Sequence, residues 1–191
     1  MTILLIRHGQ TELNAAQVLQ PPDTPLGARG HGQAAALARR AATLAPMALL
    51  SSDMPRAWQT AQAVAAATGL AIEAEPLLQE RSFGDWRGRS WLELGIDPNA
   101  LPETPPGGES LADFERRVAL AWARVVARRA ALAGPLLVVS HGLVIRRMLA
   151  AHARLAAGQA LMLRLENTSL SQVGAEPPHP IVLAGCVAHL D

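Results

Sequence analysis

Two segments put an imidazole directly behind an apolar run: Leu4-Leu5-Ile6-Arg7-His8-Gly9, and Leu136 to Val139 followed by Ser140-His141-Gly142. A third apolar run, Met47 to Leu50, ends in Ser51-Ser52-Asp53 with Arg56 just beyond. Unbroken apolar runs of this length read as strands buried on both faces of a parallel sheet. The first strand is expected to stop before Arg7, because an unpaired charge in a core is expensive. Gly9 is expected to let the loop backbone approach whatever binds there. Ligands of open α/β sheets bind outside the carboxyl ends of the strands. If the three strands are neighbours, Arg7, His8, Arg56 and His141 gather at one sheet edge.

Such a cluster repels itself unless an anion sits among its members. Arginine's planar fork matches the oxygens of a phosphoryl group, and helix N-termini expected after Ser52 and His141 would add backbone donors. A histidine-bound metal is disfavoured, since two guanidiniums would oppose a cation and no carboxylate stands at a ligand spacing. No cofactor is called for. Histidine can attack phosphorus as a nucleophile, and positioned cations can carry most of the catalysis of phosphoryl transfer. A departing alkoxide also needs a proton. Glu80 is a candidate acid, with Glu12, Asp23 and Asp85 as rivals on sequence logic alone.

The elements that must position these groups alternate strand with helix, which favours a three-layer αβα fold around a mainly parallel sheet. Ala28 to Leu44 carries Leu37, Ala41 and Leu44 at helical spacing. A second helix is expected after Ser52 and Asp53 as caps, with Pro55 in its first turn and Met54, Trp58, Ala61 and Val64 as its apolar stripe. Ala71 to Ala74 reads as a short strand, and Leu77 to Gly88 as a loop. Asp97 to Gly108 is rich in proline and glycine and reads as irregular. Ser110 and Asp113 resemble a capping box opening a long helix with Leu111, Phe114, Val118, Trp122 and Val125 inward and Arg116, Arg117, Arg124 and Arg128 mostly outward. Leu143 to Ala153 reads as a helix, and Leu161 to Leu165, Leu170 to Val173 and Ile181 to Leu183 as closing strands.

Length and composition narrow the field. A chain of 191 residues suits a single domain, here with a small lid-like insertion at about 76–110. All its basic side chains except histidine are arginines, so a Gly-Lys-Ser/Thr phosphate loop is excluded. The lone cysteine, Cys186, excludes an intramolecular disulfide and thiolate zinc clusters, and reads as a small buried hydrophobe. No secretory leader and no run long enough to span a bilayer is visible, so a cytoplasmic protein is expected. A formal net charge of +1 argues against nucleic acid as the partner. His31, His152, His179 and His189 carry no motif and read as surface or structural.

Four blocks, taken in order, resemble the histidine phosphatase superfamily, the phosphoglycerate mutase-like fold. They are Arg7-His8-Gly9-Gln10-Thr11 with Asn14; Ser51 to Ala61 around Arg56; Leu78-Gln79-Glu80 with Phe83 to Gly88; and Val139-Ser140-His141-Gly142. Pro106 to Ser110 resembles a segment of the bacterial phosphatase branch. The resemblance implies that His8 is the phosphorylated nucleophile and Glu80 the proton donor that later activates water. It implies that Arg7, Arg56 and His141 hold the phosphate, assisted by Asn14, with Thr11 and Gly142 also placed at the phosphate. Gln20 departs from the family, which usually has glycine there; a side chain would narrow the entrance or change how the substrate's far end is read.

The implied activity is hydrolysis of small phosphate monoesters, of the ribazole phosphate type or broad in specificity. A phosphoglycerate mutase is the alternative. Mutases carry Glu-Arg-His-Tyr-Gly where this chain has Glu80-Arg81-Ser82-Phe83-Gly84, and the chain has no tyrosine. A silent phospho-ligand binder is the alternative of another class, opposed by the retained nucleophile and acid. Trp86 and Trp91 are candidates to line the pocket, and a homodimer is left open.

Overall fold

The computed structural model describes residues 2–100, 102–155 and 165–191. The expected strand over Leu161 to Leu165 lies almost wholly outside the described residues. Strands β1 (Thr2–Arg7), β2 (Ala48–Ser51), β3 (Ile72–Ala74), β4 (Leu136–Ser140), β5 (Leu170–Gly174) and β6 (Ile181–Cys186) form one sheet in the order β3-β2-β4-β1-β5-β6. β1, β2 and β4 are parallel neighbours, β3 pairs parallel with β2, and β5 and β6 are antiparallel. Three apolar runs from distant parts of the chain thus end side by side.

Alternation along each strand sorts the core into two faces. Ile3, Leu5, Leu50, Leu136 and Val138 pack against helices α4 (Leu111–Ala130) and α5 (Gly142–His152). Leu4, Ile6, Leu49, Leu137 and Val139 pack against α2 (Ala28–Thr43) and α3 (Pro55–Thr68). The result is the expected three-layer αβα arrangement. A short helix, α1 (Glu12–Ala15), follows β1. Among the described residues no helix is long and apolar enough to cross a membrane.

Several expectations need correction. Arg7 does not follow the strand but ends it, paired in register with Ser140, so its backbone stays in the ladder while its side chain stays largely buried. The N-cap of α3 is Met54 rather than Ser52 or Asp53, with no side-chain cap bond; the Ser52 hydroxyl lies outside the helix, accepting from the Met54 N–H at 3.3 Å and reaching His141. Its buried face runs through Arg56, Ala57, Thr60, Ala61 and Val64, while Trp58 stays partly exposed. Met54, Ala61 and Val64 are buried as expected, and Arg56 is buried with them. Ser110 caps α4 as expected, accepting from the Asp113 N–H at 3.0 Å. Arg117 turns in rather than out, donating to the Leu77 and Gln79 carbonyls and to Glu109. Cys186 is not a buried hydrophobe: it is partly exposed, accepts from Arg40 at 3.2 Å, and its thiol is held below its usual range by the Ala188 N–H and by Arg40.

Candidate active site

The carboxyl ends of β1, β2 and β4 open into a cavity of about 310 Å³ lined by Arg7, His8, Asn14, Arg56, Glu80 and Gly142, among others. Each lining side chain is delivered by a different device. Arg7 and His8 are the last residue of β1 and the first beyond it. Arg56 comes from the first turn of α3, and Gly142 opens α5. Gly9 gives the close approach that was anticipated, though not to a ligand. A Cβ there would lie 2.7 Å from the Gly30 carbonyl, so the loop after β1 seats directly on the start of α2. Gly142 packs against Arg7, whose Nε lies 3.4 Å from where a Cβ would stand, an ordinary contact that does not itself require glycine.

His8 is buried, and its Nδ1 lies 2.7 Å from the Gly9 carbonyl oxygen. A carbonyl only accepts, so Nδ1 carries the proton and Nε2 keeps its lone pair. Burial, then Arg56 and Arg7, push the imidazole well below its usual pKa, which keeps it neutral and nucleophilic. The His141 ring lies behind it, 5.1 Å away between centroids and tilted by 57°. His141 is fully buried and its Nε2 pairs with the Ser52 hydroxyl at 2.9 Å. Burial and then Arg56 push its pKa well down too.

The two arginines are held by part of their donor sets only. Arg7 donates through Nη1 to the Leu165 carbonyl, and Arg56 through Nη1 to the Pro21 carbonyl at 3.3 Å. Burial lowers the pKa of both, that of Arg56 to about 10, with Glu80 opposing the shift, so both remain cationic at neutral pH. Arg7 Nε, Arg56 Nε and His141 Nδ1 are buried with no partner among the described residues. An unsatisfied buried donor costs about 1–3 kcal/mol, so the two arginine donors on the lining point to a ligand rich in acceptors, while His141, expected at the phosphate, lies off the lining beside the His8 ring.

Glu80 stands across the cavity, its Oε1 accepting from the Arg81 N–H at 3.0 Å and its Oε2 from the Leu143 N–H at 3.3 Å. Burial raises its pKa against those two N–H groups and the two arginines. Its rivals drop away. Glu12 and Asp23 line a separate surface cleft, and Asp85 does not reach the cavity. Sequence reading missed two further carboxylates on the lining, Asp97 and Glu166. Asp97 is held below the usual carboxylate range by two hydrogen bonds from Asn99, which unsuits it for donating a proton.

Asn14 lines the cavity with its Oδ1 taken by the Thr11 N–H and by Asn167, which leaves Nδ2 as its ligand-facing donor. Thr11 is placed differently from expectation. It is fully buried and off the lining, and its hydroxyl caps α1 by accepting from the Asn14 N–H at 2.9 Å and donating to Gln20 Oε1 at 2.8 Å. It positions Asn14 and Gln20 rather than touching a ligand. Trp91 lines the cavity, whereas Trp86 packs only in the small cluster of Leu19 and Phe83 beneath it. Ser52 and the Asn167-Thr168 turn were also missed, because a serine or an asparagine at a strand end looks like any polar exit.

Comparison with known proteins agrees with this geometry. The family profile described as histidine phosphatase superfamily (branch 1) matches residues 3–185. A probable phosphoglycerate mutase GpmB of Enterobacter sp. is 32% identical, over 100% of this chain and 95% of its own. A glucosyl-3-phosphoglycerate phosphatase of Mycobacterium tuberculosis is 32% identical over 78% of this chain and 74% of its own. The solved mycobacterial glucosyl-3-phosphoglycerate phosphatase in complex with inorganic phosphate superposes with a TM-score of 0.80 at 26% identity, covering 100% of this chain and 99% of that one. Since the matched span runs from β1 into β6, the site at the centre of the sheet lies within it. This chain belongs to the histidine phosphatase superfamily, branch 1.

Proposed function

We propose that this protein hydrolyses small organic phosphate monoesters in two steps, with His8 Nε2 as the nucleophile. The observation that carries the reading is the tautomer of His8. Its Nδ1–H is committed to the Gly9 carbonyl, so Nε2 keeps a lone pair in a site where Arg7 Nε, Arg56 Nε and His141 Nδ1 have no partner among the described residues. In the first step Nε2 attacks phosphorus, the P–O ester bond breaks, and Glu80 gives its proton to the leaving oxygen. In the second, the Glu80 carboxylate takes a proton from water, the water oxygen bonds to phosphorus, and the P–N bond breaks. Arg7, Arg56, His141 and Asn14 stabilise the charge on the transferring oxygens throughout.

The substrate class is a monoester with a polar, non-macromolecular leaving group, which a cavity of about 310 Å³ accommodates. The named activity of the mycobacterial relative supports hydrolysis. A mutase reading draws on the name of the Enterobacter relative, and it requires the released alcohol to recapture the phosphoryl group. With one cysteine, the chain suits a reducing compartment, and we place it in the cytoplasm.

The test is an acid-quench trap with a radiolabelled phosphomonoester, alongside steady-state assays on a panel that includes phosphoglycerates and ribazole phosphate. Wild type is expected to carry acid-labile label, and His8→Ala to carry none while losing about four orders of magnitude or more in turnover. Label that survives in His8→Ala refutes the nucleophile. Phosphoryl transfer between phosphoglycerates outrunning release of inorganic phosphate would favour the mutase.

A further inference from the structure

Thr168 is a buried, β-branched residue held at φ 58°, a left-handed conformation that such side chains rarely adopt. In that conformation its N–H donates to both the Arg7 carbonyl at 3.0 Å and the His8 carbonyl at 3.2 Å. The adjacent Asn167 amide donates to the His8 carbonyl at 3.0 Å and to Asn14 Oδ1 at 3.2 Å. The backbone that carries the nucleophile is therefore gripped from behind by this turn. The grip depends on the strained residue staying where it is.

A second chain of contacts explains why it stays. Arg40 Nη1, from α2, lies 3.3 Å from His189 Nδ1, and His189 Nε2 lies 3.2 Å from the Thr168 hydroxyl. Guanidinium only donates, so His189 Nδ1 must accept, and its neutral ring then carries the proton on Nε2. That proton goes to the Thr168 oxygen, whose own hydrogen goes to the Asn167 carbonyl at 2.7 Å. Every donor and acceptor is fixed from one end of the relay. Three separate parts of the chain converge in it: α2, the segment after β6, and the turn before β5.

We propose that His189 is a positioning residue for the nucleophile. Its neutral ring pins the Thr168 hydroxyl, which keeps the turn left-handed and the Arg7 and His8 carbonyls fixed. The groups facing His189 are Arg40, which also donates to Cys186, the Thr168 hydroxyl, and Asp191 of its own segment. Burial and Arg40 lower its pKa while Asp191 opposes, so the accepting form prevails at neutral pH. Arg56 and His141 stand on other elements, whereas Arg7 and Asn14 are held by this same turn. Loss of the relay should therefore slow the attack more than it weakens binding.

This inference rests on His8 as nucleophile, and its test carries one readout that does not. With p-nitrophenyl phosphate, His189→Phe is expected to lower kcat about five- to tenfold and to keep KM within about twofold. Amide hydrogen exchange in the peptide spanning 165–170 should speed up about tenfold. His189→Gln can accept from Arg40 through Oε1 and donate to Thr168 through Nε2, and it should restore both values. In a Thr168→Gly background, where glycine takes the left-handed conformation unaided, His189→Phe should cost nothing further. If His189→Phe does not fold, Thr168→Val removes the hydroxyl alone and must reproduce the loss. Unchanged kcat and exchange, a glutamine that fails to rescue, or losses that multiply across the pair would each overturn the proposal. A wild type without phosphatase activity would defeat the functional reading instead, while the exchange comparison would still decide the positioning role.

Discussion

The Ser52 hydroxyl stands 2.9 Å from His141 Nε2, at the bottom of the site and away from solvent. Ser52 Oγ also receives the Met54 N–H at 3.3 Å, which leaves its own hydrogen for the imidazole. His141 then accepts at Nε2 and holds its proton on Nδ1, the atom with no partner among the described residues. A serine at a strand end thus sets the tautomer of His141, and with it the donor that the proposed mechanism turns toward the phosphate. Ser52→Ala should let the ring relax to the other tautomer and raise KM about fivefold, equivalent to about 1 kcal/mol for one hydrogen bond. Ser52→Thr should keep wild-type KM. Steady-state kinetics on one ester checks both, and equal KM values for wild type and Ser52→Ala would remove Ser52 from the clamp.

The pH dependence follows from two groups shifted in opposite directions. His8 must be neutral to attack, and its pKa is pushed well below 6.5, so activity persists into acid and fails only as pH drops through that lowered value. Glu80 must be protonated to donate, and its pKa is raised above 4.5, so activity fails as pH climbs through the raised value. The kcat/KM profile should be a bell centred below pH 7, with its alkaline limb missing in Glu80→Gln. Stability has its own sign. His8 and His141 bind protons less readily folded than unfolded, so stability is complete above the unfolded value of about 6.5 and is lost as pH falls below it. Thermal melts across that range should show the midpoint falling with acid.

Gln20 stands where the family resemblance leads one to expect glycine, and its side chain has a definite partner. Thr11 donates to Gln20 Oε1, which fixes the amide's orientation and leaves Nε2 as a donor on the cavity wall. Gln20→Glu keeps the Thr11 bond but replaces that donor with a carboxylate beside an anionic substrate. It should raise KM about tenfold for every monoester tested, and less at high salt. Gln20→Gly should widen the entrance and favour bulkier esters. A substrate panel in which neither variant changes relative kcat/KM would show that Gln20 reads nothing.

Much of this was legible because the strands advertise themselves. Leu4 to Ile6, Leu49 to Leu50 and Leu136 to Val139 have apolar side chains for both faces, and only a parallel sheet covered on both sides can use them. Arg7, His8, Arg56 and His141 then had to share an edge. What stayed hidden was carried by hydrogen-bond direction rather than residue type. Nothing in the letters of Ser52, Thr168 or His189 distinguishes a tautomer-setting contact from an ordinary polar side chain. Thr11 misled for the same reason: beside His8 it looks like a phosphate ligand, whereas its backbone angles make it a helix cap. On α3 only Trp58 was misplaced: Met54, Ala61 and Val64 are buried as expected, and Ala57 takes the inward place expected of Trp58.

Glu80 offers the sharpest separation of acid catalysis from mere charge. Its two oxygens accept from backbone N–H groups of Arg81 and Leu143, contacts that a glutamine could make through one oxygen only. Glu80→Gln keeps the size, removes the transferable proton and leaves Arg7 and Arg56 without their nearest carboxylate. An alkyl phosphate leaves as a strongly basic alkoxide and needs that proton in the transition state. An aryl phosphate such as p-nitrophenyl phosphate leaves as a stable phenolate and does not. The variant should therefore lose about 10²- to 10⁴-fold in kcat/KM on alkyl esters and about tenfold or less in the phosphorylation step with the aryl ester. Because water attack in the second step also uses the carboxylate, acid-labile label should accumulate when Glu80→Gln is fed the aryl ester. Equal slowing on both esters with no accumulated label would assign the proton transfers to another group, for which Glu166 on the cavity lining is the next residue to replace.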